Sequence, residues 1–271
     1  MLDGRDAQAP SDVLIVVPTL GRRPEYLAQS LESIKAQAIP ATVVIVGPRD
    51  NSELAEAAEA FGAELLPDPG SLPGAINLGV QERGASHDFV TWLNDDDLLE
   101  PGSLLPVRDA LVSNPRATVA YGSCRYINED GKELWVNKAG RLAPWILKWG
   151  PDLIPQPGSL IRRSAWEAVG GLDESYGLAF DLDLLLRLQK LGPLIDVRRI
   201  VSSFRWHSQS LTVDDRHRNI SESERAKRNA LTPVGRKIAW AWEPPVRWAT
   251  HLAAREVQRR ARRLAGATTA R

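Results

Sequence analysis

Phe89-Val90-Thr91-Trp92-Leu93 runs straight into Asn94-Asp95-Asp96-Asp97, so a strand-type segment ends in three consecutive carboxylates. Adjacent acids repel one another unless a cation or protons hold them. Hard divalent cations take oxygen ligands and commonly bind through one or two carboxylates together with substrate phosphates. In open α/β sheets, ligands occupy the crevice beyond the carboxyl ends of the strands. The stretch therefore reads as a metal and diphosphate site. The competing reading is a solvated acidic turn that starts a helix near Pro101, since acids suit helix starts. A second candidate is the dense turn signal Pro67-Asp68-Pro69-Gly70-Ser71-Leu72-Pro73-Gly74, because backbone N–H groups at a helix start bind anions. Its competing reading is an ordinary surface loop.

Elements that can position such a site are legible on both sides of it. Val13-Leu14-Ile15-Val16-Val17 and Val43-Val44-Ile45-Val46 are β-branched runs suited to strands buried on both faces. Leu27, Leu31 and Ile34 give an intervening helix its inward face. An Ala- and Glu-rich helix over 52–61 and a short strand over 64–66 complete a strand–helix–strand–helix–strand alternation, which builds a parallel sheet covered by helices. Further on, the spacing predicts a helix over 101–112 and a strand at Val119-Ala120-Tyr121. A hairpin turn at Asn128-Glu129-Asp130-Gly131-Lys132 makes this middle part antiparallel or mixed. A helix over 163–169 stops at Gly170-Gly171, an apolar helix follows from Phe180, a strand covers 195–204, and helix dominates from about 219.

Composition bounds the class. Hydrophobic content of 43% and charged content of 25% are those of a globular protein with a substantial core. The 34 basic and 34 acidic residues cancel, which removes any global attraction to nucleic acid. A single cysteine, Cys124, excludes an internal disulfide framework. The polar N-terminus lacks the apolar core of a signal peptide, and no apolar run is long enough to span a membrane. The expected location is cytoplasmic. Residues 245–264 are rich in arginine and carry Val246, Trp248, Leu252 and Val257, a pattern that either lies on the inner face of an anionic membrane or packs as an ordinary helix.

Taken together, 13–22 (VLIVVPTLGR), 72–79 (LPGAINLG), 93–99 (LNDDDLL), 169–173 (VGGLD), 180–187 (FDLDLLLR) and 205–210 (RWHSQS) resemble, in order, the motifs of family 2 glycosyltransferases. The resemblance covers roughly 13–212 and implies the A-type glycosyltransferase fold: an α/β architecture with a mainly parallel central sheet and a nucleotide-sugar donor. It further implies a divalent metal, Mn2+ or Mg2+, and an inverting displacement. The corresponding organisation is a flexible 1–12, a transferase domain over 13–212 with a donor half (13–100) and an acceptor half (101–212), and a helical extension over 213–271.

By that resemblance Asp96 is the metal ligand, with Asn94 and Asp95 near the donor ribose and diphosphate. Asn94 replaces an aspartate and so keeps an acceptor while removing a charge. Pro18, Thr19 and Arg22 match the turn that lies against the nucleotide, although Arg22 can also pair with Glu25. Gly47 and Asn77 fall on the donor side. Gly47 stands where the family has an acid that holds the base, and Ile76 stands where an arginine often precedes Asn77. Asp97 has a capping role for the next helix as its alternative. Asp181 matches the general base, a carboxylate that must reach the acceptor hydroxyl; its structural alternative is helix capping. Phe180 replaces a glutamate beside it and is expected to desolvate Asp181 and raise its pKa. Asp183 is read as the partner of Arg187 four residues on. His207 is a second metal ligand or a contact to the leaving diphosphate, since neutral imidazole suits such ions, but a lone histidine is commonly structural. Gln156 and Trp206 are assigned to the acceptor, which is a carbohydrate, a lipid-linked or a small-molecule hydroxyl compound. The tryptophans are otherwise core or interface residues.

Rival readings carry specific signatures. A sugar-phosphate nucleotidylyltransferase needs a glycine-rich first turn followed by lysine, and 18–24 has one glycine and no lysine. A dinucleotide-binding dehydrogenase needs Gly-x-Gly-x-x-Gly after a strand, which is missing. A degenerate homologue that binds nucleotide-sugar or a partner without turnover is made possible by Asn94, Gly47 and Ile76, while Asp96, Asp181 and His207 argue against it.

Overall fold

The computed structural model describes residues 12–138, 140–206 and 216–232. The expectations for His207 and for the basic segment over 245–264 lie outside the described residues.

Val13–Pro18 (β1) sits between two parallel strands in the N-terminal half and is buried along its whole length. Its β-branched side chains alternate between two cores. Leu14 and Val16 join Val44, Val46, Val90 and Trp92 on one face, while Val13, Ile15 and Val17 join Leu27, Leu31, Ile34 and Ile45 on the other. A strand covered on both faces has no polar side to show, which is why this one reads as an unbroken apolar run. Pro24–Lys35 (α1) begins with proline in its first turn, where the missing N–H costs nothing. Thr42–Gly47 (β2), Ser52–Phe61 (α2), Glu64–Pro67 (β3), Leu72–Arg83 (α3) and Phe89–Trp92 (β4) complete the half. Strands β3, β2, β1 and β4 are adjacent in that order and all parallel. Asn51 accepts from Leu54 N at 3.0 Å at the start of α2, and Ser71 Oγ from Gly74 N at 3.2 Å at the start of α3. The turn expected over 67–74 thus already contains the first turn of a helix.

The second half departs from a parallel sheet. Leu98–Leu99 (β5), Leu104–Val112 (α4), Val119–Ile127 (β6), Glu133–Asn137 (β7), Ala143–Ile146 (α5), Leu160–Arg162 (β8), Arg163–Val169 (α6), Phe180–Leu188 (α7), Leu194–Arg205 (β9) and Arg216–Ala230 (α8) follow. β8 joins β4 and β6 antiparallel, β9 runs parallel to β6, and β5 and β7 pair antiparallel with β9 and β6. The sheet is therefore mixed and nine-stranded, parallel on the donor side. The expected helix over 101–112 starts only at Leu104, because Pro101 and Gly102 form a turn closed by Ser103 N–H on Glu100 O at 3.1 Å, with Gly102 at φ +64°, outside the helical region. No helix among the described residues is long and apolar enough to cross a membrane.

Candidate active site

The carboxyl ends of β1, β2 and β4 bring three turns together. Thr19, just past β1, donates its hydroxyl to Asp95 Oδ2 at 2.5 Å, and its own N–H is held by Val46 O at 2.9 Å. Gly47 ends β2 because only glycine fits there. A Cβ at that position would stand 2.8 Å from Thr19 O and 2.6 Å from Leu54 Cδ2. Pro18 is buried and Arg22 is exposed. It is the neighbouring Arg23, missed from sequence, that reaches the acidic turn, with Nη1 at 3.1 Å from Asp96 Oδ2. Burial raises the Asp95 carboxyl above its ordinary value; the Thr19 hydroxyl opposes this, the charge of Asp96 adds to it, and Arg23 opposes it.

Asp97 does not cap a helix, which corrects the expectation. Its side chain is fully buried, accepting from Arg205 N and from Asn94 Nδ2, each at 3.2 Å. Burial and then the nearby Asp96 push its pKa well up. The asparagine at 94 now has a physical reason. Its amide donates to the buried carboxylate where an aspartate would repel it. Arg205, also missed, is 2% exposed and ties this turn down. Its guanidinium donates to Asp96 O at 3.1 Å, Glu129 O at 2.8 Å and Gln29 Oε1 at 2.7 Å, and lies 4.2 Å from the centre of the Tyr26 ring. Its position at the start of the RWHSQS segment was the only sequence signal.

Asn77 brackets two motifs: Nδ2 donates to Leu172 O at 2.9 Å and to Glu174 Oε1 at 3.0 Å, while Oδ1 accepts from Leu172 N at 2.9 Å. Ile76 is fully buried in the core, so position 76 has no room for a solvated cation.

A second group of residues is built around Trp92. The Phe180 ring lies 6.2 Å from that of Trp92, and Gln156 Nε2 donates to Trp92 O at 2.8 Å. The helix bearing Asp181 therefore rests on the strand that carries the acidic turn. Asp181 stands in the first turn of α7, where its Oδ1 accepts from Leu182 N at 2.8 Å. Burial pushes its pKa up to about 6, against hydrogen bonds that lower it. Phe180 beside it is buried, 7% exposed. Asp183 pairs with Arg187 at 2.7 Å, as the spacing implied.

Asp152, for which sequence held no signal, belongs to the same region. Asp152 is exposed, and its Oδ1 accepts from Ile154 N at 2.9 Å. Desolvation first, and the charge of Asp181 second, raise its pKa to about 7, while Ile154 N–H and Lys227 oppose the rise. Trp206 sits in an aromatic cluster, its ring 5.8 Å from Trp135 and 6.3 Å from Tyr126.

Among the described residues no group of three His, Cys, Asp or Glu side chains is arranged to hold a metal ion. Two carboxylates, Asp95 and Asp96, do stand side by side, and Arg23 already balances one of them. That donor set fits a Mg2+- or Mn2+-type ion whose remaining ligands come from substrate phosphates.

The model of glycosyl transferase family 2 matches residues 14–169, and the chain belongs to that family. An "O-antigen biosynthesis protein RfbC" from Myxococcus xanthus is 32% identical over 109 residues, 38% of this chain and 8% of that protein. The chain thus matches only a small part of the length of this curated relative. Among solved structures, the mannosyltransferase PcManGT from Pyrobaculum calidifontis, in complex with GDP-Man and Mn2+, superposes with a TM-score of 0.61 at 17% identity, covering 97% of this chain and 82% of that one. S. aureus TarS 1-349 in complex with UDP gives 0.56 at 13% identity, covering 81% of this chain and 65% of that one. The fold shared with these neighbours is the A-type glycosyltransferase fold.

Proposed function

We propose that the protein is an inverting, divalent-metal-dependent glycosyltransferase that moves a sugar from a nucleoside-diphosphate sugar to an acceptor hydroxyl. The observation that carries this reading is the meeting of two carboxylate sites on Trp92: the Asp95–Asp96 turn beyond β4, and Asp181 on the helix packed against the same strand. Asp96, with Asp95 beside it, would hold Mg2+ or Mn2+ together with the donor diphosphate. When bound, such an ion neutralises charge on the leaving nucleoside diphosphate. Pro18, Thr19, Gly47 and Asn94 frame the donor side, with Arg22 at its exposed rim.

Asp181 takes the proton of the acceptor hydroxyl as its oxygen bonds to the anomeric carbon and the bond to the diphosphate oxygen breaks. Attack from the face opposite the leaving group inverts the anomeric configuration. A carboxylate raised to about 6 is a stronger base than an ordinary aspartate and is still ionised at neutral pH. Gln156 and Trp206 lie on the acceptor side. The domain limits follow the same reading, with 13–100 as donor half, 101–212 as acceptor half, and the helix beyond 213 as an extension. GDP-Man and UDP in the neighbouring structures and the O-antigen relative support a nucleotide-sugar donor and a role in glycan or glycolipid assembly.

The test is a thermal-shift panel of UDP-sugars and GDP-mannose with Mn2+, with Mg2+ and with neither. Release of nucleoside diphosphate is then measured with and without candidate acceptors. Metal-dependent stabilisation by one donor, and turnover giving an inverted product, are expected. Stabilisation by no donor, or a product of retained configuration, would overturn the reading.

A further inference from the structure

Helix α8 lies beyond the residues matched to the family, yet it reaches back to the segment that leads into α7. One carboxylate oxygen of the buried Glu222 accepts three consecutive backbone N–H groups: Gly177 at 3.0 Å, Leu178 at 2.7 Å and Ala179 at 3.1 Å. Its other oxygen accepts from Arg218 Nε at 2.8 Å. The first N–H groups of a helix have no partner within the helix. The N-cap residue of α7 is Ala179, which has no side chain able to supply one. Glu222, on a distant helix, instead takes the N–H of Ala179 itself and those of the two residues before it, at the end of α7 where a negative charge is favoured.

The rest of α8 holds the same stretch. Arg225 lies 3.8 Å from the centre of the Tyr176 ring and donates to Ser175 O at 2.8 Å, and Asn229 Nδ2 donates to the Tyr176 hydroxyl at 3.2 Å. Lys227 donates to Gly150 O at 2.6 Å, next to the segment that carries Asp152. Burial pushes the Glu222 carboxyl up, but hydrogen bonds from Leu178, Arg218, Ala179 and Gly177 outweigh this and hold it at about 2. It is therefore ionised at neutral pH, and bonds to an ionised acceptor are about twice as strong as neutral ones.

We propose that Glu222 is a positioning residue for the reaction: by gathering the N–H groups of Gly177, Leu178 and Ala179 it fixes where α7 begins, and with it the reach of Asp181 to the acceptor hydroxyl. The inference rests on the reading of Asp181 as general base. A base works only within about 2.6–3.2 Å of the proton it takes. A displacement of about 1 Å can cost about a hundredfold in rate.

The experiment uses the full chain and the donor selected by the panel above, with hydrolysis to nucleoside diphosphate as the assay where no acceptor is known. Glu222→Gln keeps the shape and removes the charge; Glu222→Asp keeps the charge and shortens the reach. For Glu222→Gln, hydrogen exchange is expected to speed up at the amides of 177–179, and kcat to fall about tenfold to a hundredfold, with donor KM unchanged. Glu222→Asp should recover part of that kcat. A folded Glu222→Gln protein with wild-type kcat would overturn the proposal, as would a kcat loss matched by the fraction of protein unfolded at the assay temperature. Asp181→Asn run in parallel separates the two claims. If Asp181→Asn turns over like wild type, the base assignment fails; if it is inactive while Glu222→Gln is normal, only the positioning role fails.

Discussion

The two carboxylate sites on either side of Trp92 are balanced in opposite ways. On the donor side, Asp95 and Asp96 stand against a hydroxyl and a guanidinium, from Thr19 and Arg23, carried by the turn after the central parallel strand. On the acceptor side, Asp181 and Asp152 accept backbone N–H groups from Leu182 and Ile154, and the nearest described lysine, Lys227, is spent on a carbonyl. In the first, the Thr19 hydroxyl and the Arg23 guanidinium oppose the burial that raises the Asp95 carboxyl. The second makes negative charge costly, so that its carboxyls titrate close to neutral pH and can exchange protons. Carboxylates of one residue type thus differ within one fold by what compensates their burial.

The contrast can be broken most severely at Asp181. Asp181→Asn should lower kcat by about a thousandfold, within the range for loss of a general base, while Mn2+-dependent donor binding in the thermal-shift assay is retained. The same change should raise stability in alkaline conditions. A carboxyl raised from its ordinary 3.8 to about 6 contributes stability below pH 4 that is lost as pH rises through 6. The asparagine variant should therefore gain on the order of 2 kcal/mol over wild type at pH 8 and nothing at pH 3, read from denaturant melts at each pH.

Asp96→Ala tests the other side. It should weaken metal-dependent donor binding by on the order of 2 kcal/mol, about thirtyfold, with little effect on the pH dependence of whatever turnover remains. Calorimetry on the wild type should show Mn2+ binding tightly only when a nucleoside diphosphate is present. Tight binding by the protein alone would contradict the picture of a cation shared with the donor.

A smaller effect is expected in the pH profile of kcat/KM, which should lose activity on the acid side through about pH 6 because only the ionised base works. An acid limb near the ordinary aspartate value would mean that Phe180 and the burial around α7 do not tune Asp181. The smallest change sharpens the role of Asn77. Asn77→Ala should cost about 1–3 kcal/mol of stability through the lost bracket to Leu172, with donor KM nearly unchanged; a selective rise in donor KM would return Asn77 to the donor contacts.

Much of the fold was legible because burial leaves a pattern in the chain. Strands β1 and β2 are unbroken β-branched runs because helices cover both their faces, α2 begins at its capping Asn51, and α2 and α6 end at Gly62 and Gly170. Leu98 and Leu99 form β5 because they pair with β9, a strand about a hundred residues away that no local signal announces, and the turn at Pro101 and Gly102 then delays α4 to Leu104. Asp97 was misread for a similar reason. Its partner is the backbone N–H of Arg205, and local propensity can only offer the next helix.

The sequence by itself determined the alternation of strands and helices, the acidic turn at the end of the fourth strand and the place of Asp181 at the head of an apolar helix. These follow from hydrophobic periodicity and short-range turn chemistry, which act between neighbours along the chain. Only the tertiary structure decided which carboxylate meets which partner: Arg23 on Asp96, Asn94 and Arg205 on Asp97, the N–H groups leading into α7 on Glu222, and the charge of Asp181 on Asp152. Those pairings depend on side chains brought within a few ångströms by the packing of a mixed sheet, and electrostatic interactions at that range depend on distance and burial rather than on position in the sequence.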